Sequence, residues 1–174
     1  MPAASTEIVR ALTEAEIKDF TEEISSIPAE YWVKHYPIPN RLLSLRDGKS
    51  VHINWPSQNP RIVLNERSEQ VPKIWNFICE YTNGNAGRAY IHRLKPNDTI
   101  IKHHDKIHVS ALNIKKRYHI YLDIPDNAQL YLDDGLVDSP QKFQFTLVDF
   151  ALERLHYYKN YSDQTWYFIV FDHC

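Results

Sequence analysis

The feature that most constrains this chain is a series of short β-type segments filling its second half. RAYIHRL (88–94), TIIKHH (99–104), RYHIYLDI (117–124), QLYL (129–132), KFQFTLVDF (142–150) and TWYFIVF (165–171) are rich in β-branched and aromatic residues. KPND and DDG fall between them and supply turns. Many short strands must close on themselves or stack as two sheets to bury their apolar sides, so a sandwich or barrel is expected.

The first half reads differently. Thr13–Glu16 (TEAE) has the Thr-x-x-Glu form of a capping box, and Ile17, Phe20 and Ile24 follow at helical spacing. A second helix is expected from Pro72 to about Tyr81, with proline in its first turn. Val71, Ile74, Trp75 and Ile78 would form its apolar stripe, and TNGNAG (82–87) would end it. Residues 28–70, punctuated by Pro28, Pro37, Pro39, Pro56 and Pro60, read as strands and loops. The expected fold class is α+β, mainly β. A chain of 174 residues suits one domain over 1–174, in which residues 1–85 support a β core at 86–174.

Composition narrows the functional classes. A net charge of −2 and a pI of about 6.5 give no electrostatic case for a nucleic-acid partner. The N-terminal stretch lacks a long apolar run, so neither a signal peptide nor a membrane anchor is expected. Cys79 and Cys174 form no metal-binding pair and fit a reducing compartment, so a cytoplasmic protein is expected.

IIKHHDKI (100–107) carries the chemistry. In an extended segment residues i and i+2 face the same side, so His103 and Asp105 can converge on one ion while His104 turns away. A third ligand must come from elsewhere, and His108, His119, His156 and His173 are candidates. His156 follows a strongly apolar strand, which would place it across a sandwich from His103. Two imidazoles and one carboxylate on one face of an octahedron leave three open positions, the arrangement of non-haem Fe(II) oxygenases. RYHIYL then sets Arg117, His119 and Tyr121 on one strand face and Tyr118, Ile120 and Leu122 on the other. Arg117 and His119 facing inward would be costly unless they bind something anionic; the alternative is an edge strand with its polar face in water.

RAYIHRLKPNDTIIKHHD, RYHIYL and LHYYKNYSDQTWYFIVFD, in this order, resemble the aspartyl/asparaginyl β-hydroxylase family over roughly residues 88–172. The resemblance implies a double-stranded β-helix (jelly-roll) core with flanking N-terminal helices. It also implies an Fe(II)- and 2-oxoglutarate-dependent oxygenase. On this likeness His103, Asp105 and His156 are the iron ligands, and Arg117 and His119 lie near the 1-carboxylate of 2-oxoglutarate. Asn160, Ser162 and Asp163 match a downstream N-x-S-D. Two positions depart from the family pattern. Trp166 stands where an arginine usually pairs with the 5-carboxylate, and His92 replaces an assisting serine. His92 in its charged form, Tyr121, Tyr131, Lys102 or Arg154 is expected to hold that carboxylate instead; the alternatives are another 2-oxoacid, or a protein that binds the ion without running the reaction.

The expected reaction is hydroxylation of a C–H bond in an amino acid, a peptide residue or a related small polar substrate, consuming O2 and releasing succinate and CO2. Arg88, Arg93, Lys115 and Lys116 are candidate cations for the substrate, or else solvated surface charges. The segment 31–45, with Arg41, covers the pocket or packs against the barrel. Rival readings are a cupin-like metal site using His119, and a ligand-binding jelly roll stacking aromatics such as Trp166 on its partner.

Overall fold

Thr13 starts the first helix as the sequence predicts. Its hydroxyl accepts from the Glu16 amide at 3.1 Å, and the Glu16 carboxylate accepts from the Thr13 amide at 3.0 Å. The structure is a computed structural model describing residues 6–34, 49–54, 67–103, 113–132, 135–136, 140–150 and 155–174. Helix α1 spans Glu14–Ser25 and helix α2 spans Pro72–Tyr81. Glu23 of α1 caps α2: its carboxylate accepts from the Lys73 amide at 2.6 Å and the Ile74 amide at 3.0 Å. An acid at a helix N-terminus satisfies donors that have no partner within the helix. This contact pins the two helices together.

Eleven strands follow the chain among the described residues: β1 (Glu7–Ala11), β2 (Val33–Lys34), β3 (Lys49–Asn54), β4 (Ala86–Leu94), β5 (Thr99–His103), β6 (Lys116–Tyr121), β7 (Ala128–Leu132), β8 (Gly135–Leu136), β9 (Thr146–Phe150), β10 (His156–Asn160) and β11 (Trp166–His173). Seven form one sheet in the order β1-β9-β6-β11-β4-β3-β2, and four form a second in the order β5-β10-β7-β8. The two antiparallel sheets make the expected jelly roll, with the helices on the outer side of the larger sheet.

Alternation along the strands separates two cores. Ile91, Ile120, Leu147, Ile169 and Phe171 face the helices and pack with Phe20, Ile24, Ile74 and Ile78. Tyr90, Tyr121, Val148, Trp166 and Phe168 point the other way, toward Ile100, Leu130 and Tyr158 of the smaller sheet. Strand β6 lies inside the larger sheet, so RYHIYL is not an edge strand with a wet face.

Several expected boundaries move. Residues 142–150 are not one strand: Pro140–Phe143 forms a 3-10 turn, and β9 begins at Thr146. Phe145 takes φ 54°, and its amide bonds Leu122 O at 3.2 Å, so the chain turns before it extends. RYHIYLDI stops pairing at Tyr121, ahead of Pro125 and the turn at Asn127 (φ 66°). Strands β1 and β10 lack a clear apolar alternation and were not anticipated. No helix among the described residues is long and apolar enough to cross a membrane.

Candidate active site

The space between the sheets is lined by β4, β6, β9 and β11 on one side and by β5, β7 and β10 on the other. Strand register decides which side chains meet there. Across the larger sheet, Asp172 lies opposite Arg117, Val170 opposite His119 and Tyr90, Phe168 opposite Tyr121 and His92, and Trp166 opposite Leu94.

His156, on β10, is buried at 2% exposure, edge-on to Phe150 at 4.7 Å. Its backbone partner on β5 is His103. The sequence reading placed these two across the sandwich, and the structure corrects that. They are neighbours in one sheet, because β10 inserts between β5 and β7. The side chain of His103, and all of His104, Asp105 and His108, lie outside the described residues. Among the described residues no cluster of three metal-ligating side chains is complete.

His119 approaches the same region from the opposite sheet. Its ring stacks on Phe150 at 4.1 Å, which places one phenyl ring between two imidazoles. Its Nδ1 lies 2.9 Å from the Tyr121 hydroxyl and 3.1 Å from the Tyr158 hydroxyl, and the two hydroxyls are 3.1 Å apart. Three polar atoms thus satisfy one another inside an aromatic core. Burial pushes the Tyr121 phenol well above the ordinary tyrosine range, against a smaller opposing effect of the Tyr158 hydrogen bond. Tyr121 is therefore a neutral hydroxyl at any physiological pH.

Arg117 engages a protein carboxylate. Its Nε donates to Asp172 Oδ1 at 2.6 Å and a terminal nitrogen donates to Oδ2 at 2.9 Å. Arg88 donates its Nε to the same Oδ2 at 3.0 Å. All three residues are almost fully buried. Reading the strands singly missed Asp172 and Tyr158. Period-two alternation could have found both: Asp172 follows Phe168 and Val170 inward, and Tyr158 follows His156.

The other expected residues separate clearly. His92 points inward and pairs its Nδ1 with the Ser50 hydroxyl at 2.7 Å. Tyr131 stacks on Tyr157 at 4.2 Å on the outer side of the smaller sheet, away from Tyr158 and Leu130. Lys102 is exposed, and Arg154 lies outside the described residues. Arg88 is buried rather than at a mouth, whereas Arg93 lies 4.8 Å over the Trp32 ring and Lys116 pairs with Asp149 at 2.7 Å. Trp32 packs on Tyr167 in the helix-side core, so this end of the 31–45 segment covers no pocket, and residues 35–45 are not described. The N-x-S-D match is a turn: Asn160 donates its amide to Leu94 O and Gln164 O and accepts from the Ser162 hydroxyl at 2.6 Å. Trp166 is wholly buried, so it offers no surface on which a ligand could stack.

Comparison with known proteins bears on the family and the fold. The family profile described as aspartyl/asparaginyl beta-hydroxylase covers residues 42–173. The chain belongs to the aspartyl/asparaginyl β-hydroxylase family. No curated protein sequence matches it. Its fold is similar to a 2OG-Fe(II) oxygenase family oxidoreductase from Burkholderia pseudomallei, with TM-score 0.61 and 12% identity over 96% of this chain and 84% of that one. A Pseudomonas putida prolyl-4-hydroxylase matches at TM-score 0.53 and 12% identity over 97% and 90% of the two chains. The collagen prolyl hydroxylase vCPH of Paramecium bursaria Chlorella virus-1 matches at 0.52 and 13%, over 97% and 95%. The shared fold of this β-hydroxylase family member is thus the jelly roll, and its chemistry must be argued from its own side chains.

Proposed function

We propose that this protein is an Fe(II)- and 2-oxoacid-dependent hydroxylase, with His103, Asp105 and His156 as its metal ligands. The observation carrying this reading is the register of His156 opposite His103, with the His156 ring buried between the sheets. Residues directly opposite in an antiparallel ladder lie close, which suits a shared ion. An imidazole pair with one carboxylate is the donor set that a ferrous ion takes with positions left open.

The iron, when bound, supplies oxidation of a C–H bond by O2 coupled to decarboxylation of a 2-oxoacid, 2-oxoglutarate being the one the family resemblance implies. This chain's residues hold and shield that chemistry. Phe150 stacks on His119 and meets His156 edge-on, so it fixes both ring planes. His119, with its Nδ1 within hydrogen-bond reach of two tyrosine hydroxyls, keeps one orientation facing the acid's carboxylate. Arg117, clamped by Asp172, supplies a fixed positive charge one register step beyond His119. The aromatic side chains around them exclude water. An amino acid, peptide residue or similar small polar compound is the proposed substrate.

The test is anaerobic Fe(II) titration, followed by CO2 release from carboxyl-labelled 2-oxoacids after oxygen is admitted. One tight Fe(II) per chain, lost in His156→Ala and Asp105→Ala, with metal-dependent CO2 release, is the expected result. Unchanged metal affinity in both variants would refute the assignment.

A further inference from the structure

The barrel behind His156 is closed by rings. Successive inward residues of β11, two positions apart, step about 7 Å along the strand. Moving from Val170 toward the start of the strand, the inner layers become Phe168 with Tyr121 and His92, then Trp166 with Leu94. Tyr158 of the opposite sheet fills the gap: its ring lies 4.8 Å from Phe168 and 5.5 Å from Trp166, and Trp166 lies 5.4 Å from Phe168. Trp166 and Phe168 are 0% exposed, Tyr121 1% and Tyr158 2%, so these rings are closely packed.

His92 belongs to the same inner layer, opposite Phe168, and pairs its Nδ1 with the Ser50 hydroxyl at 2.7 Å. The hydroxyls of Tyr121 and Tyr158 lie within hydrogen-bond reach of each other and of His119 Nδ1. The indole Nε1–H of Trp166 is buried with no hydrogen-bond partner. Apart from His92, this wall offers only hydroxyls and an indole among the described residues, and uncharged donors do not compensate the burial of a carboxylate. Among the described residues, the inward arginines Arg88 and Arg117 lie at the opposite end, on Asp172, six positions along β11 from Trp166 and so roughly 20 Å away.

We infer that the 2-oxoacid this protein takes is short and has no second carboxylate, because Trp166, Phe168, Tyr121 and Tyr158 close the barrel behind the metal ligands. This rests on the metal site proposed above. An acid of two to four carbons with an uncharged tail ends before the wall. The five-carbon diacid 2-oxoglutarate would have to press its far carboxylate into packed rings. Trp166 is then the residue that sets the length limit.

Protein loaded anaerobically with Fe(II) is titrated calorimetrically with glyoxylate, pyruvate, 2-oxobutyrate, 2-oxohexanoate and 2-oxoglutarate. Pyruvate or 2-oxobutyrate is expected to bind at least tenfold more tightly than 2-oxoglutarate. Trp166→Ala is expected to strengthen 2-oxohexanoate binding at least tenfold relative to pyruvate binding. Trp166→Leu, which keeps more of the core filled, should move the same way if the alanine variant does not fold. Tightest binding of 2-oxoglutarate, or a length order unmoved by either substitution, overturns the inference and leaves the metal site standing. Absence of Fe(II) binding in the loading step removes the metal site, and this inference with it.

Discussion

Removing the carboxylate of Asp172 tests how the inner layer is held together. Asp172 is 0% exposed and is shared by Arg88 and Arg117, each 2% exposed, through contacts of 2.6, 2.9 and 3.0 Å. Asp172→Ala leaves both guanidinium groups buried without this partner. Breaking a buried pair by deleting one member costs about 3–5 kcal/mol, because the remaining charge stays desolvated. A domain of this size has a stability of about 5–15 kcal/mol, so the loss is a large share of the total. Urea unfolding followed by tryptophan fluorescence gives the difference at constant slope. Asp172→Asn keeps the shape and one acceptor and should fall between the two. The triple replacement Arg88→Met, Arg117→Met and Asp172→Leu removes charge and counter-charge together and should lie within about 2 kcal/mol of the parent. An Asp172→Ala protein within about 1 kcal/mol of the parent would refute the account of a charge cluster held by one carboxylate.

Glu16→Gln tests the start of α1. The hydrogen bonds from Arg10 hold the Glu16 carboxyl below its ordinary value of 4.5, outweighing the opposing effect of its partial burial. A depressed carboxyl contributes stability above its unfolded value and loses it as pH falls through the folded value. The gap between parent and Glu16→Gln should therefore be present at pH 7 and shrink below about pH 4.5, as read by urea midpoints across pH. Gly87→Ala places a Cβ 2.6 Å from Cys174 Sγ and 3.1 Å from Asp172 Cβ, so the Cys174 side chain must move and Asp172 must give way slightly. A loss of about 1–3 kcal/mol is expected in the same assay, and an unchanged midpoint would mean that the C-terminal residue simply swings aside.

Local chemistry made much of this protein legible in the sequence. The Thr13 capping box and the Pro72 helix start depend on contacts within a few residues, and both appear where the pattern puts them. Alternation in RYHIYL divided Arg117, His119 and Tyr121 from Tyr118, Ile120 and Leu122, and the two cores preserve that division. Strand β1 was not legible because it lies at a sheet edge, exposed throughout, so no buried face imposes a pattern on it. The break at Phe145 was hidden for a related reason: KFQFTLVDF alternates well enough, and a long-range bond from Phe145 to Leu122 turns it.

Residue type and spacing along one chain thus determined a sandwich or barrel of short strands and the two helices, while the family resemblance supplied the jelly roll and the imidazoles and carboxylate proposed for a metal. Pairing between distant strands decided the rest. Whether His156 lies across from His103 or beside it depends on β10 inserting between β5 and β7, a choice made by the sheet as a whole. Likewise Arg117 meets Asp172, and Trp166 seals the barrel with Tyr121 and Tyr158, only because register aligns residues many positions apart. Local periodicity says which face a side chain takes; only closure of the two sheets says what it meets there.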